Sequence, residues 1–243
     1  MTKPPENKKT TSAISSAPGG EEAEKSLDFT ASLKRKAETA LASGPDSSIY
    51  SLLYATTRLM EEKNYNKLRV EEIVKVANVS RATFYNHFDS KLLVCCGVFD
   101  AYSRFTYSKF PRPAPSLHPF DELFQINLFY THLLLENAKV HFRFVELSSY
   151  IPEVAELWDR YVFDLNRGMP RRLYSTGDNM TELDKLADIW LAGSLLHENV
   201  YALYIAKRTP AARTFIHSPE HLAYRASLII YRARFMEVPP ASC

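Results

Sequence analysis

The chain has 243 residues, 46% of them apolar and 24% charged, which at roughly 150 residues per domain suffices for one or two packed cores. Thirty Lys plus Arg against 28 Asp plus Glu leave a net charge of +2, so a polybasic coat is excluded and any nucleic-acid binding must come from a local patch. Three cysteines cannot build a disulfide framework, no run of about 18 apolar residues offers a transmembrane helix, and Met1 to Gly20 lacks the apolar stretch of a signal peptide; the expectation is a reduced, cytoplasmic protein with no membrane partner.

Residues 1 to about 26 are Ser, Thr, Pro, Glu and Lys with almost no large apolar side chain, and they read as disordered. From Leu27 to Leu41 a weak helical period (Leu33, Ala37, Ala40, Leu41) surrounds the basic run Lys34-Arg35-Lys36 and predicts an accessory helix. Acidic neighbours dilute that run, which reads as a solvated face. Ser43-Gly44-Pro45 ends the segment. Asp46-Ser47-Ser48 then offers N-cap oxygens to a helix carrying Ile49, Leu52, Leu53, Thr56, Leu59 and Met60 and ending near Asn64.

A shorter helix follows with Val70, Ile73, Val74 and Ala77 at i, i+3, i+4 and i+7. Asn78 sits where the chain needs positive φ, Val79 is an apolar plug, and Ser80 caps a third helix through Phe88. Asp89-Ser90 caps a fourth, from Lys91 to about Tyr107. This is helix-turn-helix spacing, whose second helix enters the DNA major groove by its N-terminal residues. The face it would present is Arg81, Thr83, Tyr85, Asn86 and His87, with Phe84 and Phe88 turned inward. Arg pairs with guanine, Asn with adenine, and Thr meets a thymine methyl or a phosphate. Tyr85, His87 and Lys91 suit phosphate contacts that set register.

Pro111, Pro113 and Pro115 mark a linker, beyond which long helical segments are expected over about 118–137, 139–149, 152–174, 181–208 and 218–236. Strand signals are missing, so the fold class is all-α. Adjacent Cys95 and Cys96 read as small apolar residues rather than a redox pair. The histidines lack i, i+4 spacing for ligation on one helix face, and no metal or cofactor is expected. No G-x-S-x-G, G-x-x-x-x-G-K or H-E-x-x-H motif occurs, which argues against an enzyme.

Tyr65, Val70-x-x-Ile73, Ala77-Asn78-Val79-Ser80 and Thr83-Phe84-Tyr85-Asn86-His87-Phe88-Asp89-Ser90-Lys91 together resemble the N-terminal domain of the TetR/AcrR family of bacterial regulators. The likeness covers about 46–100. Two positions depart from the family pattern. Asn64 and Asn78 stand where glycine is usual, and both keep positive φ accessible. Arg69 stands where Thr or Ser usually caps the second helix, and it is a candidate for a phosphate contact.

The resemblance implies three parts: an N-terminal extension over 1–44, a three-helix DNA-binding domain over 45–90, and a C-terminal helical bundle over 91–243 that dimerises and holds an effector. DNA contacts fall to Arg69, Ser80, Arg81, Thr83, Tyr85, Asn86, His87 and Lys91. Candidates for the effector pocket are Phe124, Phe142, Trp158, Tyr161, Trp190 and Asn199, with Arg143, His197 and Glu198 as further polar members. The dimer interface is expected on the last two long helices, at Leu186, Trp190, Gly193, Leu196, Leu222, Ala226, Ile229 and Ile230. The implied partners are double-stranded operator DNA, a small-molecule effector and a second copy of the chain. An alternative is a helical small-molecule-binding or adaptor protein whose helix-turn-helix no longer binds DNA.

Overall fold

The computed structural model describes residues 26–41, 47–167 and 181–235. Among the described residues ten α-helices run in order: α1 (Phe29–Leu41), α2 (Ser47–Glu62), α3 (Val70–Ala77), α4 (Arg81–His87), α5 (Lys91–Lys109), α6 (Pro119–Glu136), α7 (Ala138–Ser148), α8 (Pro152–Arg167), α9 (Glu182–Val200) and α10 (Pro219–Phe235). A π turn over Tyr201–Ile205 prolongs α9, and a 3-10 turn lies at Tyr65–Lys67. Among the described residues there is no strand, and no helix long and apolar enough to cross a membrane. The expected disorder before residue 26, the Asp46 cap and the extension of α8 to 174 lie outside the described residues.

Helix starts follow local chemistry. His118 Nδ1 accepts the Phe120 N–H at 3.2 Å, Pro119 fills the first turn, and Asp121 and Glu122 meet the positive end of α6. At α9 a capping box forms: Thr181 Oγ1 accepts the Asp184 N–H at 3.2 Å, and Asp184 Oδ2 accepts the Thr181 N–H at 3.1 Å. The proline-bearing stretch between Phe110 and His118 is non-helical, as its spacing predicts.

Helix α1 is more than an accessory. Phe29, Leu33 and Ala37 recur at i, i+4 and i+8 and are buried. The helix packs along α2, and Thr30 Oγ1 donates to Glu61 Oε1 at 2.6 Å. Its first turn is pinned from the far side, where Asn137, between α6 and α7, accepts the Phe29 N–H at 2.9 Å and donates to the Leu27 carbonyl at 2.7 Å. A weak amphipathic signal thus becomes a fixed element because one buried amide completes its N-terminus.

One hydrophobic cluster joins the short helices to the bundle. It runs from Phe29, Leu52, Ile73 and Phe84 through Val94, Val98, Phe99 and Tyr102 to Phe144, Val154 and Tyr161. Helix α5 is its spine. Apolar positions surround this helix, and Val94, Cys95, Val98, Phe99, Tyr102 and Phe105 are all buried. It packs on both α2 and α8. The Phe99 ring lies 4.5 Å from Phe144 and 5.7 Å from Tyr161. Smaller clusters join α6 to α10, and α9 to α6 and α10.

Candidate DNA-binding surface and ligand cavity

Asn78 adopts φ 53° and ψ 46°, the left-handed region that ends α3. The Asn78 N–H donates to the Lys75 carbonyl and the Val79 N–H to the Val74 carbonyl, 3.3 and 3.1 Å, the bond pair of a Schellman turn. Ser80 then opens α4, its Oγ accepting the Thr83 N–H at 2.9 Å. Phe84 is fully buried and Phe88 half-buried. A Cβ on Gly97 of α5 would lie 3.0 Å from the Phe88 ring, so any larger residue there would require that ring to shift by a few tenths of an ångström. Ser90 caps α5 by accepting the Leu93 N–H at 3.2 Å.

Arg81, Tyr85, Asn86 and His87 are exposed and Thr83 is half-buried. Arg81 Nη1 lies 2.8 Å from Glu71 Oε1 on α3, an exposed ion pair that water and salt weaken. The Tyr85 hydroxyl adds a contact to Arg81 Nη2 at 3.5 Å. Thr83 Oγ1 lies 2.8 Å from Ser80 Oγ, and His87 Nε2 lies 2.7 Å from Ser48 Oγ. Arg69 is exposed at the start of α3 and makes no capping bond with its side chain.

Two expectations change. Asn64 is extended, at φ −71° and ψ 150°, so no left-handed residue is needed there; its side chain is used instead. Lys91 does not point freely outward. Its Nζ donates to the Tyr65 carbonyl at 2.9 Å and lies 4.1 Å from the centre of the Tyr65 ring. It ties the first turn of α5 to the turn after α2, and a cation so placed has its charge engaged within the protein.

Residues 52–92 match the family model of the bacterial regulatory proteins of the tetR family. The match covers the helix-turn-helix segment, so this part of the chain is similar to the DNA-binding domain of that family. A TetR transcriptional regulator from Rhodococcus sp. RHA1, solved by crystallography, is similar at 19% identity over 74% of this chain and 95% of that chain, with a TM-score of 0.47. No curated protein matches the chain in sequence.

Beyond this domain, α6, α8 and α9, with Phe110, Val145 of α7 and Ile230, line a cavity of about 270 Å³. The volume is near the lower end of small-molecule sites, roughly 300–1,000 Å³. Each helix contributes a stripe at helical spacing: Ile126, Asn127 and Tyr130; Trp158, Val162 and Leu165; Trp190, Gly193, Ser194 and His197. Glu198 is the charged residue of the lining among the described residues. Of the six pocket candidates, Trp158 and Trp190 line this space.

The other four are placed elsewhere. Tyr161 is core, against Phe99, Tyr102 and Tyr107. Phe142 packs on His197 and Tyr201, at 5.0 and 4.5 Å between ring centres. Phe124 meets the Tyr224 edge, and Asn199 Nδ2 donates to the Leu195 carbonyl at 2.8 Å. Composition could not separate cavity aromatics from core aromatics. The stripe on α6, which supplies Asn127 and Tyr130, was legible only as one apolar face among several.

Behind the cavity wall lies a buried polar chain. The Tyr102 hydroxyl is 3.0 Å from His141 Nδ1, and His141 Nε2 is 3.2 Å from His197 Nε2. His197 Nδ1 faces Glu198 Oε1 at 3.6 Å. In each His contact one nitrogen donates and its partner accepts, and the acceptor-only Glu198 carboxylate favours the tautomer with a proton on His197 Nδ1. Burial drives the His141 pKa well below its usual range, and the neighbouring His197 adds to this. Burial lowers His197 too, partly opposed by Glu198. Both rings are neutral at pH 7. Burial also pushes the Cys95 thiol up to about 12, led by loss of solvent, so it is no thiolate.

Arg143 is not a pocket residue. Its Nε donates to the Met60 carbonyl at 3.2 Å and its Nη1 to Asn64 Oδ1 at 2.9 Å, with Glu146 as an ion-pair partner. On the expected dimer faces, Leu196, Leu222 and Ala226 are buried within the chain, while Trp190 and Ile229 are exposed at 52% and 53%. Ile230 is half-buried, and a Cβ on Gly193 would meet nothing within 4 Å. The side chain of Leu186 lies outside the described residues.

Proposed function

We propose that the chain is a ligand-responsive transcriptional regulator, acting as a homodimeric repressor that leaves a pseudo-palindromic operator when a small apolar or aromatic molecule fills the cavity. The observation that carries the reading is an aromatic cavity in the same packed unit as a DNA-binding helix-turn-helix, with α5 running from one into the other. Residues 45–90 act as the DNA-binding domain. Arg81 and Asn86 read bases, and Arg69, Ser80, Thr83, Tyr85 and His87 hold phosphates. Trp190, Leu191, Leu195 and Ile229, exposed on α9 and α10, support a dimer interface that their buried neighbours Leu196, Leu222 and Ala226 brace from beneath.

Two recognition helices must sit about 34–36 Å apart, or a multiple of it, to bind together. An occupant that favours another spacing therefore weakens operator binding, provided it binds the released form more tightly. The test uses a labelled duplex from the DNA upstream of the chain's own gene, read by fluorescence anisotropy, with mass by light scattering at micromolar concentration. Saturable, salt-dependent binding by a dimer is expected. A strictly monomeric mass, or no preference over unrelated duplex, would refute it.

A further inference from the structure

Helix α7 touches both the cavity wall and the DNA-binding domain. His141 is fully buried and bonded to the cavity residue His197, and Phe142 packs on His197 and Tyr201, one turn apart on α9 and its π continuation. Two residues after His141, and so about 200° around the helix, Arg143 leaves the opposite face. It reaches the Met60 carbonyl at the end of α2 and the Asn64 side chain in the following turn. That turn is a junction. Lys91 of α5 grips the Tyr65 carbonyl, and Lys63 Nζ holds Glu72 Oε1 of α3 at 2.5 Å.

We propose that α7 is a lever that carries cavity occupancy to the helix-turn-helix, with His197 sensing the occupant, His141 transmitting its displacement, and Arg143 moving the 60–67 segment. The inference rests on reading the cavity as a ligand site, and it adds a route separate from α5. An occupant pressing on His197 must shift or break the His197–His141 bond, because the two Nε2 atoms lie only 3.2 Å apart and that contact couples the rings directly. His141 has no free alternative. Its other nitrogen is held by Tyr102, and an unpaired buried imidazole is costly. Helix α7 therefore follows as a body, and Arg143 transmits the movement because its two forked bonds resist both sliding and rotation.

The test needs no operator, so its failure is distinguishable from failure of the proposed function. The chain's two tryptophans, Trp158 and Trp190, both line the cavity, and their emission reports its occupancy. The probe is the neutral dye 1-N-phenylnaphthylamine, added to the full chain, with hydrogen–deuterium exchange read along the backbone. In the wild type the dye should quench tryptophan and change exchange several-fold in the 60–67 segment. In Arg143→Gln the dye should bind as before and still alter the first turns of α5, while most of the 60–67 response is lost. Asn64→Ala, at an exposed position, removes the same bond from the other partner and should act alike. With dye bound, an undiminished 60–67 response in both variants, or none in the wild type, overturns the lever. Should the dye fail to enter, a ligand-free cycle decides: His197→Ala should speed 60–67 exchange in the wild-type background and not beside Arg143→Gln. An equal change in both backgrounds, or no change in either, overturns it.

Discussion

The helix-turn-helix and the bundle are built by different ranges of interaction. Between Val70 and Ser90 the decisive contacts are a few residues apart: the left-handed Asn78, the Ser80 cap on Thr83, and Phe84 one turn before Phe88. In the bundle the decisive contacts join distant segments, as in Tyr102 to His141 or Asn127 to Ser227, where Nδ2 donates to Oγ at 2.8 Å. Local chemistry makes the DNA-binding motif recognisable. Its stability is not local, since Phe84, Phe99 and Tyr161 belong to one hydrophobic cluster.

The sharpest way to break that comparison is Phe84→Ala. Emptying a fully buried phenylalanine site should cost about 3–5 kcal/mol, the largest effect predicted here. Because the cluster is shared, the loss should destabilise the bundle as well. Urea unfolding followed by helical circular dichroism and by tryptophan emission should shift together, both tryptophans lying in the bundle. A tryptophan transition left in place while the helical signal splits would mean two independent units.

A second test separates the regions by pH. His141 and His197 are buried in the bundle with lowered pKa values, while His87 of the helix-turn-helix is exposed. A histidine depressed in the folded state gives stability that is present above its unfolded value of about 6.5 and lost as pH falls from there through the folded value. Stability should therefore begin to fall near about pH 6.5 and go on falling below it, by at most about 1.4 kcal/mol per pH unit per histidine. His221, lowered by partial burial beside His217 and Arg225, adds a remainder. Urea midpoints in His141→Gln should show a shallower slope; an unchanged slope would clear His141 of the effect.

The short helices were legible because residue type at a fixed offset dictates backbone. Asn in place of glycine still predicted the turn at Asn78, and Ser80 and Ser90 predicted two caps. The same reasoning failed at Asn64, which is extended, because its side chain answers Arg143 from a helix 79 positions away. Helix limits in the bundle were also readable from period and proline. What periodicity could not supply was which apolar stripe meets which. Leu196, Leu222 and Ala226 carry the pattern of an interface yet are covered within the chain. Tyr161 and Trp158 are three residues apart on one helix, one in the core and one on the cavity.

Local substitutions should sharpen the contrast at smaller scale. Ser80→Ala removes the acceptor for the Thr83 N–H and should cost about 1 kcal/mol. Asn78→Gly should be nearly neutral, whereas Asn78→Ala, which loses the polar side chain that eases asparagine into the left-handed region, should cost up to about 1 kcal/mol. Thermal midpoints check the order; a harmless Asn78→Ala would show that the turn relaxes.

The smallest expected effect distinguishes two uses of one lysine. If Lys91 met a phosphate, its loss would lower the slope of log affinity against log salt by about one unit. In the structure its ammonium already sits between the Tyr65 carbonyl and ring, and binding DNA through it would forfeit both contacts. Lys91→Met keeps the stem and removes the charge. It should leave the salt slope unchanged and slightly lower stability by loosening α5 from the turn after α2. Arg69→Met, on an exposed cation that makes no capping bond, should reduce the slope by about one unit. Measured on the same duplex across a salt series, the two variants form a matched pair. A reduced slope for Lys91→Met with no change for Arg69→Met would reverse the assignment and return Lys91 to the DNA face.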